Sequence, residues 1–147
     1  MKKTKGGRKK VVDPRYAKSK EYRKVIEAIA LKGKCPFCSE NFKYHKHPIL
    51  SEEGGWFITR CGWPYKNTKY HFILIGKKHK EHFRQLRQSD FISIRSLVNW
   101  ASKKFNIKGG VLAHRFGTTE FTGATVCHLH FHLIMPKRGK VVNFPIG

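Results

Sequence analysis

Acidic side chains are scarce in this chain. Nine Asp and Glu stand against 31 Lys and Arg, for a formal net charge of +22. That imbalance predicts attraction to polyanions such as DNA, RNA or nucleotides, with binding that weakens as salt rises. Long apolar runs are missing too. No stretch approaches the roughly 18 residues that a membrane-spanning helix needs, so no membrane partner is expected. The basic opening MKKTKGGRKK is not followed by an apolar segment, so the expectation is a cytoplasmic protein rather than a secreted one. Cysteine is sparse, at positions 35, 38, 61 and 127. In a reducing compartment a disulfide framework is not expected, and the close pair Cys35 and Cys38 reads as metal-binding. Cys61 and Cys127 read as small buried residues.

What the chain does have is enough length for one domain with its own core. Residues 1–14 read as a disordered basic arm, with nothing apolar enough to bury, and 15–147 as a single domain. Tyr22, Val25, Ile26, Ile29 and Ala30 recur at helical spacing within 14–32, and Gly33 is a helix stop. CPFC (35–38) falls in a loop, and 39–54 is a polar stretch. GWFITRC (55–61) reads as a short strand, 62–69 as a connector and YHFILIG (70–76) as a clear strand. Residues 77–86 suggest a short helix. Ser89 is the expected N-cap of a longer one, whose stripe of Ile94, Leu97, Val98, Ala101 and Phe105 belongs to the core. Strands are expected over 109–117 and 126–135, separated by a loop of small residues and closed by Pro136. Helix, strands, helix, strands suggests an antiparallel sheet with helices packed on it, an α+β fold.

The last strand carries the sequence CHLHFHLIMP. Alternate side chains of a strand share a face, so His128, His130 and His132 are expected in a row, with Leu129, Phe131 and Leu133 on the core side. Three imidazoles at period two point to chemistry: a catalytic metal, or a histidine nucleophile whose neighbours set its tautomer and touch the substrate. The preceding Gly123-Ala124-Thr125 offers small residues, backbone N–H groups and a hydroxyl, a setting suited to a phosphate.

His128-Leu129-His130-Phe131-His132-Leu133-Ile134 resembles the His-φ-His-φ-His-φφ signature of the histidine triad (HIT) nucleotide hydrolases and transferases. YHFILIGKKH (70–79) is similar to the family's strand ending in Pro-Lys-x-His, with Gly76 in place of proline. CPFC resembles the Cys-x-x-Cys of the zinc-containing branch. Together these motifs span about 35–136. The resemblance implies a five-stranded antiparallel sheet with packed helices, often as a homodimer. It implies that His130 attacks the α-phosphorus of a nucleotidyl substrate and that a nucleotidyl-histidine intermediate is then resolved, releasing a nucleoside monophosphate. His132 and Thr125 would contact the phosphate or the leaving group, beside Gly123. It also implies a structural Zn²⁺ held by Cys35, Cys38, His79 and His128. A self-contained site of Cys35, Cys38, His45 and His47 is the alternative, although its spacing is short for a zinc finger.

The chain departs from the family pattern at several positions. Ala124 stands where relatives often carry Gln or Ser. Arg115-Phe116-Gly117 stands where Asn-x-Gly is common, and Arg115 can bring a charge to phosphate in place of an amide. No ribose-gripping Asp or Asn is evident after GWFITRC, which leaves Trp63 and Asn67 as candidates for base stacking and ribose contact. Three functions stay open. One is a nucleotide hydrolase or nucleotidyl transferase. Another is removal of a 5′-adenylate from DNA or RNA ends, as in the aprataxin-like branch. The third is a non-catalytic, zinc-stabilised module that binds nucleotides or nucleic acid.

Overall fold

A computed structural model of the protein describes residues 10–147. Among these residues, five strands form one antiparallel sheet in the order β1-β2-β3-β5-β4. The strands are β1 (Ile49–Glu53), β2 (Trp56–Arg60), β3 (Thr68–Gly76), β4 (Val111–His114) and β5 (His130–Pro136). The helices are α1 (Lys20–Lys32), α2 (Gln88–Lys104) and the single turn α3 (Thr119–Thr122). The α+β architecture expected from the sequence is the one observed.

Alternation along the strands decides which side chains meet. Phe72 and Leu74 of β3, Ile58 of β2, and Phe131 and Leu133 of β5 pack under Ile94, Leu97 and Ala101 of α2. On the opposite face Phe57, Ile73 and Ile75 form a second cluster with Phe42. The register pairs Ile73 with His132 and Ile75 with His130, so these two histidines lie on the face turned away from α2. The triad strand is paired on both sides, with buried β3 and with the edge strand β4, which holds these side chains in place.

Several boundaries differ from the sequence reading. α1 starts at Lys20, where the Ser19 side chain accepts the Tyr22 N–H at 3.1 Å, and ends at Gly33 in the left-handed region (φ +66°). The polar stretch 39–54 holds a 3₁₀ helix (Ser39–Tyr44) and β1. Within 77–86 only Phe83–Gln85 makes a helical turn, of 3₁₀ type. α2 is capped at Arg87 rather than Ser89, because the Asp90 carboxylate accepts the Arg87 N–H at 2.7 Å. β4 is shorter than 109–117, and α3 occupies part of the expected loop.

The arm read as disordered over 1–14 is corrected at its last residues, whereas 1–9 lie outside the described residues. Val11, Val12 and Asp13 are buried. Val12 bridges Val126, the Asp13 N–H donates to the Thr125 carbonyl and the Cys127 N–H to that of Val11, both at 2.8 Å. These bonds occupy the backbone of 125–127, which is why β5 begins only at His130.

Candidate active site

His130 opens β5, and its Nδ1–H donates to the His128 carbonyl at 2.7 Å. That bond fixes the tautomer and leaves Nε2 with its lone pair. The ring stands edge-on to Phe37 of the CPFC loop, 5.0 Å between centroids. Burial pushes its pKa down to about 3, so the imidazole is neutral at physiological pH. His114, stacked on Phe131, donates Nδ1–H to the His130 carbonyl at 2.9 Å and steadies the strand from the other side.

His132 is reached through a residue the sequence reading did not single out. The Tyr65 backbone N–H, which can only donate, lies 3.1 Å from His71 Nδ1. The neutral His71 ring, its pKa pushed down to about 4 by burial, therefore carries its proton on Nε2 and donates it to His132 Nδ1 at 2.8 Å. His132 in turn carries its proton on Nε2, which faces Arg115 Nη1 at 3.4 Å. Two N–H donors converge there, the arrangement an anionic oxygen requires. The signal was present in YHFILIG: a histidine in an otherwise apolar strand needs a polar partner.

His128 does not share the strand face with the other two. It precedes β5 and is buried. Its Nε2–H donates to the Gly76 carbonyl at 2.6 Å, and its Nδ1 faces Cys35 Sγ at 3.4 Å and Cys38 Sγ at 3.8 Å. Both ring nitrogens are thus committed, and the expectation that His128 acts catalytically is corrected. It serves His130 through its carbonyl. His79 Nδ1 lies 3.4 Å from Cys38 Sγ, and the ligand atoms of Cys35, Cys38, His79 and His128 all fall within 4.8 Å of one another. Tetrahedral zinc, with bonds of about 2.0–2.3 Å, sets its ligand atoms roughly 3.4–3.8 Å apart. The donor set therefore fits a metal. His79 Nε2 faces the Glu81 carboxylate at 3.7 Å, and His128 Nε2 its carbonyl, the outer partners that orient metal-binding imidazoles. The alternative site is not assembled: among the described residues the potential ligands that cluster are Cys35, Cys38, His79 and His128, and His45 and His47 are not among them.

The other sequence candidates divide. Gly123 caps α3 at φ +68°, and a Cβ there would fall 2.8 Å from the Gly147 carbonyl oxygen. Thr125 Oγ1 is bonded to the Tyr22 hydroxyl at 2.7 Å, an unforeseen partner on α1. Arg115 donates to the Tyr65 hydroxyl at 3.2 Å and to the Pro145 carbonyl, and lies over the Phe144 ring. Trp63 sits between Tyr22 and Lys46. These residues, His130, His132 and Ala124 line one cavity of about 590 Å³. Asn67 does not line it. Its left-handed backbone (φ +70°) turns the chain into β3, and its amide donates to the Val141 carbonyl at 2.9 Å. Cys61 and Cys127 are half-buried rather than buried, and no cysteine is in a disulfide.

No protein-family model matches the sequence, and no curated protein does. Solved structures do resemble it. A histidine triad protein from Clostridium difficile aligns over 76% of this chain and 96% of its own at 22% identity and a TM-score of 0.58. The chain has the histidine triad fold. A histidine triad nucleotide-binding protein from Candida albicans covers 78% of this chain and 82% of its own, at 20% identity and a TM-score of 0.61. Plasmodium falciparum diadenosine triphosphate hydrolase covers 65% of each chain, at 23% identity and a TM-score of 0.52. On this histidine triad fold, the described residues include no helix long and apolar enough to cross a membrane.

Proposed function

We propose that the protein is a nucleotide hydrolase or nucleotidyl transferase that works through a nucleotidyl-histidine intermediate. The observation that carries this reading is the pair of fixed tautomers: a lone pair on His130 Nε2 beside an N–H on His132 Nε2. The His130 Nε2 lone pair attacks the α-phosphorus. The bond from phosphorus to the leaving group breaks, and its electron pair departs with that group. The His132 N–H and the Arg115 guanidinium stabilise the charge that develops on oxygen. Water then attacks the phosphorus, the P–N bond to His130 breaks and a nucleoside monophosphate leaves. The names of the Candida and Plasmodium proteins, one nucleotide-binding and one a diadenosine triphosphate hydrolase, support this substrate class.

Zinc would be held by Cys35, Cys38, His79 and His128 and would supply a cross-link between the CPFC loop and the triad segment. A second copy of the chain would pair along β4, an edge strand whose Val111 and Leu112 are exposed.

The test compares AMP release from an adenosine phosphoramidate by the wild type and by His130→Ala. Release by the wild type with at least a thousandfold loss in the variant is expected. No release by folded, metal-loaded wild type from this or from a dinucleoside polyphosphate would favour a binding module instead.

A further inference from the structure

The cavity that contains His130 and His132 does not end at them. It continues along the whole of α1, from Lys18 before the helix to Lys34 after it. A helix of 13 residues is about 20 Å long at about 1.5 Å per residue. One face of α1 forms the wall: Tyr22, Val25, Ile26, Ile29 and Lys32 recur at three- and four-residue steps. Ile26 at the centre of this face is buried in the core with Tyr22 and Ile29 packed against it, whereas Val25 on the open side is 43% exposed. Lys18, Lys32, Lys34 and Lys46 are exposed on the walls, and among the described residues that line the cavity none is acidic. A chain of contacts orders its contents. From Thr125, next to the triad, it runs to the Tyr22 hydroxyl at 2.7 Å, to the Trp63 ring at 5.2 Å between centroids, and to Lys46 Nζ at 3.5 Å from that ring's centroid.

A lone nucleotide needs one aromatic wall and one phosphate site, and Arg115 with His132 already provides the latter. The four lysines lie beyond it: Lys18 at one end of α1, Lys32 and Lys34 at the other, and Lys46 over Trp63. Their spacing suits a ligand with repeated negative charge and apolar faces between the charges. We infer that the groove beside α1 is a track for single-stranded nucleic acid, whose reacting end lies at His130. At about 3.4 Å per stacked nucleotide, about 20 Å accommodates roughly six. Aromatic rings paired with cations along a positive groove are how proteins hold single strands without reading sequence. The inference rests on the hydrolase reading only for the position of the reacting end.

The experiment measures fluorescence anisotropy of labelled, 5′-phosphorylated oligothymidylates of one to ten nucleotides. It uses His130→Ala, so that binding is read without turnover. Affinity should rise with length to about six nucleotides and then level off. In that background, replacing Lys18, Lys32, Lys34 and Lys46 by alanine should weaken binding at least tenfold. It should also reduce the slope of log affinity against log salt by up to about 3, at about 0.7 per phosphate contact. Replacing Lys103, Lys104, Lys108 and Lys140, which are exposed and outside the groove, removes the same charge and should have a much smaller effect. Trp63→Ala should cost about tenfold. Equal losses in the two quadruple variants, each folded by circular dichroism, would overturn the track in favour of diffuse charge. So would affinity that stops rising after one nucleotide. Length-dependent binding by a wild type that hydrolyses nothing would count against the hydrolase and not against the track.

Discussion

His71 shows how much one side chain carries. Its ring accepts from the Tyr65 backbone on one side and donates to His132 on the other, so a peptide N–H sets the proton position of a second histidine two bonds away. His71→Ala should leave His132 free to adopt either tautomer and lower kcat about tenfold to a hundredfold, the usual effect of losing an outer partner. KM should change little, and steady-state kinetics would show it. Asp13 is a structural counterpart. It is 2% exposed and bonded to Arg15, Lys10 and the Thr119 hydroxyl. The Arg15 guanidinium first, with Lys10 and Thr119, holds its carboxyl well below the usual range against the opposing effect of burial. The folded state thus prefers the ionised form. Its contribution is complete above the ordinary carboxylate pKa near 4 and disappears as pH falls toward the lower folded value. Asp13→Asn should cost about 2 kcal/mol at pH 7, about 5 °C in Tm. Melting curves of the two proteins should converge as pH drops below about 4. The triad was legible in the sequence because three histidines at period two are hard to place otherwise. His71, the Tyr22–Thr125 bond and the Asp13 cluster were not, because each depends on partners 61, 103 and 106 residues away.

At the scale of elements, the strand carrying His130 and His132 is held between β3 and β4, and just before its start the CPFC loop meets His79 and His128 in a group that could hold a metal. His79→Ala should therefore reduce zinc to well below one equivalent by elemental analysis and lower Tm by at least 5 °C, since metal binding contributes directly to folding. Full zinc occupancy in that variant would exclude the arrangement. β2 and β3 were readable from their β-branched and aromatic runs. β1 was not, because Ile49–Glu53 lies on the sheet edge with three of its five residues exposed and shows no alternation. β5 was read four residues too early: apolar alternation continues through 126–129, but the backbone there pairs with 11–13 and with the Lys80 carbonyl instead of β3.

Across the whole molecule, charge and edge chemistry set what the protein meets. A net charge of +22 was evident from composition, but that Lys18, Lys32, Lys34 and Lys46 line the same cavity as the triad appears only in the fold. The β4 edge carries Val111 at 56% and Leu112 at 45% exposure, next to the aromatic pair Phe83 and Phe116. Val111→Lys should shift a dimeric protein to monomer in sedimentation velocity while preserving the fold; an unchanged sedimentation coefficient would remove β4 as the interface. Covalent catalysis by one neutral imidazole leaves a group on the protein that can be trapped. The most direct measurement is rapid quenching of the enzyme with an adenosine phosphoramidate, followed by peptide mass spectrometry. An adenylyl group on His130 is expected, formed and lost at rates consistent with turnover and missing in His130→Ala. Turnover with no adduct on any histidine, under quench conditions that preserve a phosphohistidine standard, would contradict it.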